Sequence, residues 1–105
     1  MSDQTFTQGD TAPPIRATLK NEDGSVCDLT ATDSIRFQMR KNEDKKHTVD
    51  QECDILHATN GRVSYDWGAN DLSVPGEYIA QWEIHWSDGK IQTTFPRNTI
   101  TVLRQ

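Results

Sequence analysis

The feature that most constrains this chain is a strict alternation of apolar and polar residues along short segments. The clearest segment runs from Tyr78 to Trp86, where aromatic or aliphatic side chains occupy every second position. Because successive side chains of a β-strand point to opposite faces, this pattern predicts a strand with one buried face. The same signal, weaker in places, predicts further strands at 15–19, 26–29, 35–40, 49–56, 63–67, 91–95 and 100–102.

Turn sequences separate these segments. Asn21–Gly24 and Ser87–Lys90 are rich in residues that favour turns, and the Asn60-Gly61 pair favours a two-residue hairpin turn. No window of a dozen residues has the apolar spacing of a helix. Strands that recur every ten or so residues, with turn signals between them, indicate an all-β sandwich or barrel.

A tyrosine corner narrows this fold class. Tyr78 follows Asp71–Glu77 at the start of the longest predicted strand, as in sandwiches where such a hydroxyl bonds the backbone a few residues upstream. Two residues later, where an immunoglobulin domain has cysteine, this chain has Ala80. We therefore expect an immunoglobulin-like antiparallel β-sandwich. It should form one domain over residues 11–105, with residues 1–10 as an N-terminal arm.

The two cysteines are predicted to be free thiols. No tryptophan lies between Cys27 and Cys53, although one does in the disulfide-bridged immunoglobulin core. The N-terminus has no apolar stretch of a signal peptide, so synthesis in a reducing cytosol is expected. The sandwich should therefore lack an inter-sheet disulfide.

Large aromatic side chains on the apolar phase of their strands should form the core. These predicted core residues are Tyr78, Trp82, Trp67 and Phe37. Trp86 has the same phase but adjoins a turn. The alternative, a tryptophan platform for carbohydrate, would need an aromatic side chain off the core phase.

Charge and chemistry exclude several functions. The net charge of −5 disfavours nucleic acid, and no apolar run approaches the roughly 20 residues needed to cross a bilayer. The histidines, His47, His57 and His85, have no metal-ligand or catalytic spacing, and no nucleophile motif is present. The loop acids are expected to be solvated rather than to bind calcium: Glu22, Asp23, Glu43 and Asp44. We therefore expect no enzyme activity, no cofactor and no metal.

The order of the motifs resembles the N-terminal domain family of phage baseplate upper proteins. The resemblance extends from about Asp10 to Leu103. The segments that carry it are 15–19, 23–24, 28–30, 35–40, 61–67, 75–78, 82–83, 88–89 and 94–96.

The resemblance implies an immunoglobulin-like domain of a tailed-phage virion, made in the host cytoplasm, that docks through protein–protein contacts. A longer protein of the family would carry the fibre on a C-terminal extension, and this sequence has none after Gln105. We therefore expect a small head-decoration, neck or tail subunit as much as a baseplate subunit. Partners would be other virion proteins, in a homo-oligomeric or multicopy arrangement, without nucleic acid or membrane. The predicted contact residues are Phe6, Lys41, Lys45, Lys46 and His47. A receptor- or glycan-binding module is the alternative.

Overall fold

The computed structural model describes residues 3–41, 48–94 and 98–105. Those residues form nine β-strands: β1 (Asp3–Thr7), β2 (Ile15–Thr18), β3 (Thr32–Lys41), β4 (Val49–Glu52), β5 (Asp54–His57), β6 (Arg62–Tyr65), β7 (Gly76–Trp86), β8 (Ile91–Thr93) and β9 (Asn98–Leu103). The described segments include no helix long and apolar enough to cross a membrane.

The strands form two sheets that pack face to face. Sheet A has the order β1-β9-β7-β3-β4, with β8 also paired to β7, and sheet B has the order β2-β6-β5. All pairs are antiparallel except β1 with β9, which is parallel. The prediction of an all-β immunoglobulin-like sandwich is confirmed, with one parallel pair at the edge of sheet A.

The core lies between the sheets and follows the alternation of the sequence. On β7, Tyr78, Ala80, Trp82 and Ile84 are all buried, whereas the residues between them are half-buried on the opposite face. Side chains two residues apart lie on the same face of a strand, whereas in a helix they point in different directions. Both cysteines are buried and unbridged, so the predicted absence of a disulfide is confirmed.

The tyrosine corner is present. The Tyr78 hydroxyl donates to the carbonyl of Val74, four residues upstream, at 2.6 Å. A second hydroxyl fixes the same connection, because Tyr65 donates to a carboxylate oxygen of Asp71 at 2.6 Å and the amide of Gly68 donates to that oxygen at 2.7 Å. The segment between β6 and β7 is therefore held at both ends.

The segment predicted as one strand over 49–56 is two strands in different sheets. The amide of Cys53 donates to the carbonyl of Ile35 at 2.9 Å and closes the pairing with β3. The next residue, Asp54, already pairs with Ser64 in sheet B. Cys53, the single residue between β4 and β5, is buried in the core.

The β5–β6 hairpin also differs from its prediction. His57 pairs with Arg62, so the connection has four residues, 58–61, rather than the two of an Asn-Gly turn. The register shifts between Ile55 and His57, which marks a β-bulge. Gly61 packs against the backbone of the segment after β2 and is thereby unavailable for the tighter turn.

The N-terminal segment is not separate from the domain over its described part. Residues Asp3–Thr7 are β1, which pairs along its whole length with β9. Beyond it, the Asp10 carboxylate accepts from the amide of Thr7 at 3.0 Å, and the amide of Asp10 donates to the carbonyl of Thr7 at 3.0 Å. Because β1 is the edge strand of sheet A, residues 3–7 belong to the sandwich.

Candidate interaction surface

The four aromatic residues predicted for the core are buried. Phe37 is at the centre: its ring lies 4.9 Å from that of Trp82, 5.5 Å from that of Trp67 and 4.8 Å from that of Tyr65. Tyr78 is 1% exposed. The rings pack edge-to-face or offset, arrangements that the charge distribution of aromatic rings favours. These residues hold the two sheets together and leave no aromatic surface among them.

Phe6, predicted as a contact residue, lies in the core instead. Its ring packs edge-on against Trp67 at 5.1 Å, and only 5% of the residue is exposed. The reason is the parallel pairing of β1 with β9, which turns Phe6 to the inner face beside Val102. A surface contact through the Phe6 ring is therefore unavailable in this structure.

The predicted cationic contacts are only partly described. Lys41 ends β3 opposite Tyr78, and its aliphatic stem lies over Gly76, where an added side-chain carbon would come within 3.7 Å of it. Lys45, Lys46 and His47 lie outside the described residues, as do Glu43 and Asp44.

The outer face of sheet A carries an ordered row of polar side chains, which we call the polar ladder: Asp50, Arg36, Gln38 and Gln81. Arg36 donates from Nε to the Asp50 carboxylate at 2.7 Å and from Nη2 to the Asp50 carbonyl at 2.6 Å. Gln81 donates to the side-chain oxygen of Gln38 at 2.9 Å, and Gln38 donates to Asp50 at 3.4 Å. Gln38 is only 6% exposed although it faces outward, so the ladder is closely packed.

Charge concentrates around the Arg36 end of the ladder. Arg36 pairs across the strands with Glu52 on β4 and Glu83 on β7, and it is hydrogen-bonded to Asp50. The hydrogen bond with Asp50, followed by the charges of all three carboxylates, raises the pKa of Arg36. One guanidinium surrounded by three carboxylates leaves this part of the face negative.

The described histidines hydrogen-bond to near neighbours. His85 lies 2.7 Å from a carboxylate oxygen of Glu83 through Nε2, a pairing of residues two apart that the sequence spacing did not suggest. His57 lies 3.2 Å from the Thr59 hydroxyl. Within the described ranges, no group of three or more His, Cys, Asp or Glu side chains is placed to hold a metal ion.

The described loop acids organise turns. The Asp23 carboxylate accepts from the hydroxyl and amide of Ser25, and these bonds lower its pKa. Asp28 has the same relation to Thr30, with the same effect on its pKa. A shallow groove near these turns is lined by the exposed side chains Lys20, Glu22, Gln92 and Thr93. These described lining residues include no histidine or cysteine, and neither Lys20 nor Glu22 forms an ion pair there.

The polar ladder was not predicted from the sequence. Its signal was present, because polar residues occupy the outward phase of both β3 and β7. What makes them a row is the register that sets Gln38 opposite Gln81 and Arg36 opposite Glu83. The pairing of two strands more than 40 residues apart cannot be derived from local alternation.

Comparisons with known proteins agree with this architecture. A family model described as the BppU N-terminal domain matches residues 1–98. Among solved structures, CopC from Methylosinus trichosporium OB3b is similar with a TM-score of 0.56 and 11% identity, covering 96% of this chain and 85% of CopC. Murine CRIg gives a TM-score of 0.43 and 12% identity, covering 98% of this chain and 92% of that chain. The likeness to CopC shows the fold alone, and no curated protein matches the chain.

Proposed function

Because the chain belongs to the BppU N-terminal domain family and is thus a phage baseplate protein domain, we propose that it is a non-catalytic docking module of the virion. The docking surface in this proposal is the outer face of sheet A. The observation that carries it is the polar ladder, which fixes the side chains of that face before any partner arrives.

A pre-ordered face favours docking for an entropic reason. Association costs free energy for each long side chain that becomes immobile, about 0.5–1.5 kcal/mol. Arg36, Gln38 and Gln81 are already held by cross-strand hydrogen bonds. Part of that cost is therefore met during folding.

The size of the face also suits a protein partner. The five strands from β1 to β4 in sheet A contain 36 residues, which at about 3.3 Å per residue and a spacing of about 4.8 Å cover about 570 Å². That is most of the roughly 800 Å² that a standard protein–protein interface buries on each partner. Position in a baseplate, tail, neck or head decoration is compatible with such a face.

Two observations support docking over catalysis or glycan binding. Burial raises the pKa of both thiols, that of Cys53 to about 12, which keeps them protonated and unreactive at neutral pH. Trp67 and Trp82 are buried and Trp86 is half-buried against the core, so the tryptophans form no exposed platform for a sugar. The face of sheet A offers hydrogen-bonding groups instead.

The proposal is tested in phage particles that carry substituted copies of the gene. Gln81→Arg puts a bulky charge at the centre of the face and should lower the amount of this protein per purified particle at least about tenfold, since an unpaired interfacial charge costs more than about 1.4 kcal/mol. Quantitative mass spectrometry of the particles measures this. Thr11→Arg, at an exposed position off the sheets, is the matched control and should be incorporated normally.

Circular dichroism and thermal melting of both purified variants separate a folding defect from a docking defect. Ile79→Lys, a second substitution on the same face, guards against a misfolded Gln81→Arg. Normal incorporation of folded Gln81→Arg and Ile79→Lys would contradict docking through sheet A.

A further inference from the structure

The outer face of sheet B has the opposite charge character to the ladder face. The register sets Arg16 in one row with Ser64 and Asp54, and Arg62 in the next row between Thr18 and His57. Arg16 and Arg62 are therefore diagonal neighbours on adjacent strands, and both are exposed. Diagonal neighbours are about 7–8 Å apart, within reach of long side chains, so the two positive charges repel each other.

Nothing in the described part of the chain compensates these arginines by an ion pair. Asp54 lies two strands from Arg16 and is a diagonal neighbour of Arg62, but it forms no ion pair with either arginine. Asp66 follows the end of β6 and borders the face without forming an ion pair to either arginine. Two adjacent guanidinium groups thus remain available in a protein with a net charge of −5.

The complementary surface is on the same molecule. On the outer face of sheet A, Glu52 and Glu83 flank Arg36, whose guanidinium is already bonded to Asp50. Glu83 also lies 2.7 Å from Nε2 of His85, and with Glu52 and Asp50 it gives this end of the face more carboxylates than guanidinium groups. Exposed Leu56, in the β-bulge of β5 opposite Arg62, adds the apolar contact that protein interfaces combine with arginine.

We propose that the outer face of sheet B, through Arg16 and Arg62, binds the outer face of sheet A, through Glu52 and Glu83, on a second copy of this chain. The inference rests on the proposed function, because it names the partner of the docking face. The two faces are on opposite sides of the sandwich, so the contact is head-to-tail and builds a ring or a stack rather than a two-fold dimer. Exposed ion pairs are individually weak, so the association is concentration-dependent and multivalent.

The test is sedimentation velocity on the purified chain, from micromolar to about 0.5 mM protein, at low and high salt. Association should be at least about tenfold weaker at about 0.5 M NaCl than at about 0.05 M, since salt at the higher level screens exposed charges within about 4 Å. Arg16→Glu with Arg62→Glu should abolish association at both salt concentrations. Glu52→Lys with Glu83→Gln, which keeps the Asp50–Arg36 pair, should also abolish it.

Mixing the two double variants should restore association. The arginine variant has acidic outer faces on both sheets, and the Glu52→Lys, Glu83→Gln variant has basic outer faces on both sheets, so each face of one variant can bind a face of the other. Lys90→Glu with Arg104→Glu is the control: it makes the same change in net charge at exposed positions away from both faces, and it should associate like the wild type. Near-ultraviolet circular dichroism verifies the fold of each variant.

A wild-type chain that stays monomeric at about 0.5 mM protein and about 0.05 M NaCl overturns the inference. A control as defective as the arginine variant overturns it too, because net charge alone would then explain the effect. If the folded ladder-face variants fail to enter particles while the chain is monomeric in solution, the inference falls and the proposed function stands. If they enter particles normally, the proposed function falls.

Discussion

Gly61 shows how one residue can be determined by its surroundings. A side-chain carbon at this position would lie 2.7 Å from the carbonyl oxygen of Cys27 and 2.8 Å from that of Leu19. The backbone is also left-handed, with φ of 66°. The Gly61 carbonyl accepts from the amide of Leu19 at 2.7 Å, so the close approach is held in place. Only glycine combines this conformation with this contact.

Gly61→Ala should lower the free energy of unfolding by about 2–5 kcal/mol, from left-handed strain and from overpacking against two carbonyls. Gly24→Ala is the matched control, because Gly24 also has a positive φ of 88° but no atom within 4 Å of the added carbon. It should cost only about 1–2 kcal/mol. Urea unfolding followed by tryptophan fluorescence measures both, and equal losses would show that the carbonyl contacts are unimportant.

At the scale of elements, β1 decides where the domain begins. Its pairing with β9 buries Phe6 against Trp67, so the strand contributes to the core as well as to the sheet edge. The sequence suggested an arm because 1–13 has no clear alternation and contains breakers. β1 has five residues and only one of them, Phe6, is apolar, so the strand shows no alternation that could be recognised in the sequence.

Phe6→Ala should destabilise the protein by about 3–5 kcal/mol, the usual cost of emptying a buried phenylalanine site. Thr5→Ala, on the exposed face of the same strand, should change stability by less than about 0.5 kcal/mol. Chemical unfolding of both variants gives the comparison. A Phe6 variant as stable as the Thr5 variant would mean that residues 1–10 are an arm after all.

For the whole molecule, buried protonated groups make stability depend on alkaline pH. Burial raises the pKa of the Cys53 thiol from 9.0 to about 12, and burial followed by the Asp71 hydrogen bond raises the pKa of Tyr65 above its ordinary 10. The folded state therefore holds protons that the unfolded state releases. The resulting stability is complete below pH 9 and is lost as pH rises toward 12.

The free energy of unfolding should thus fall above pH 9, by at most about 1.4 kcal/mol per pH unit for each such group. Cys53→Ala should fall less steeply between pH 9 and the ordinary tyrosine pKa of 10, where Tyr65 does not yet contribute. Urea titrations at fixed pH values measure the slopes. Parallel slopes for the two proteins would contradict a buried, protonated Cys53.

The sequence by itself determined the fold class and most side-chain orientations. Alternation on β3 and β7 placed Phe37, Tyr78 and Trp82 inside. The turn before Tyr78 predicted a hydrogen bond from its hydroxyl to the backbone a few residues upstream, and the acceptor is the carbonyl of Val74. These properties are local, because the two-residue period of a strand fixes which face a side chain occupies. The prediction of free thiols rested on different signals, namely the absence of a tryptophan between the two cysteines and an N-terminus without a signal peptide.

Only the tertiary structure decided which strands are neighbours. The passage from sheet A to sheet B at Cys53, the parallel docking of β1 and the row formed by Arg36, Gln38 and Gln81 all depend on pairings between distant segments. Such pairings are selected by closure of the whole core and by backbone hydrogen bonding across it, which no local period encodes. The docking face arose from that register, whereas the strands that compose it were visible in the sequence.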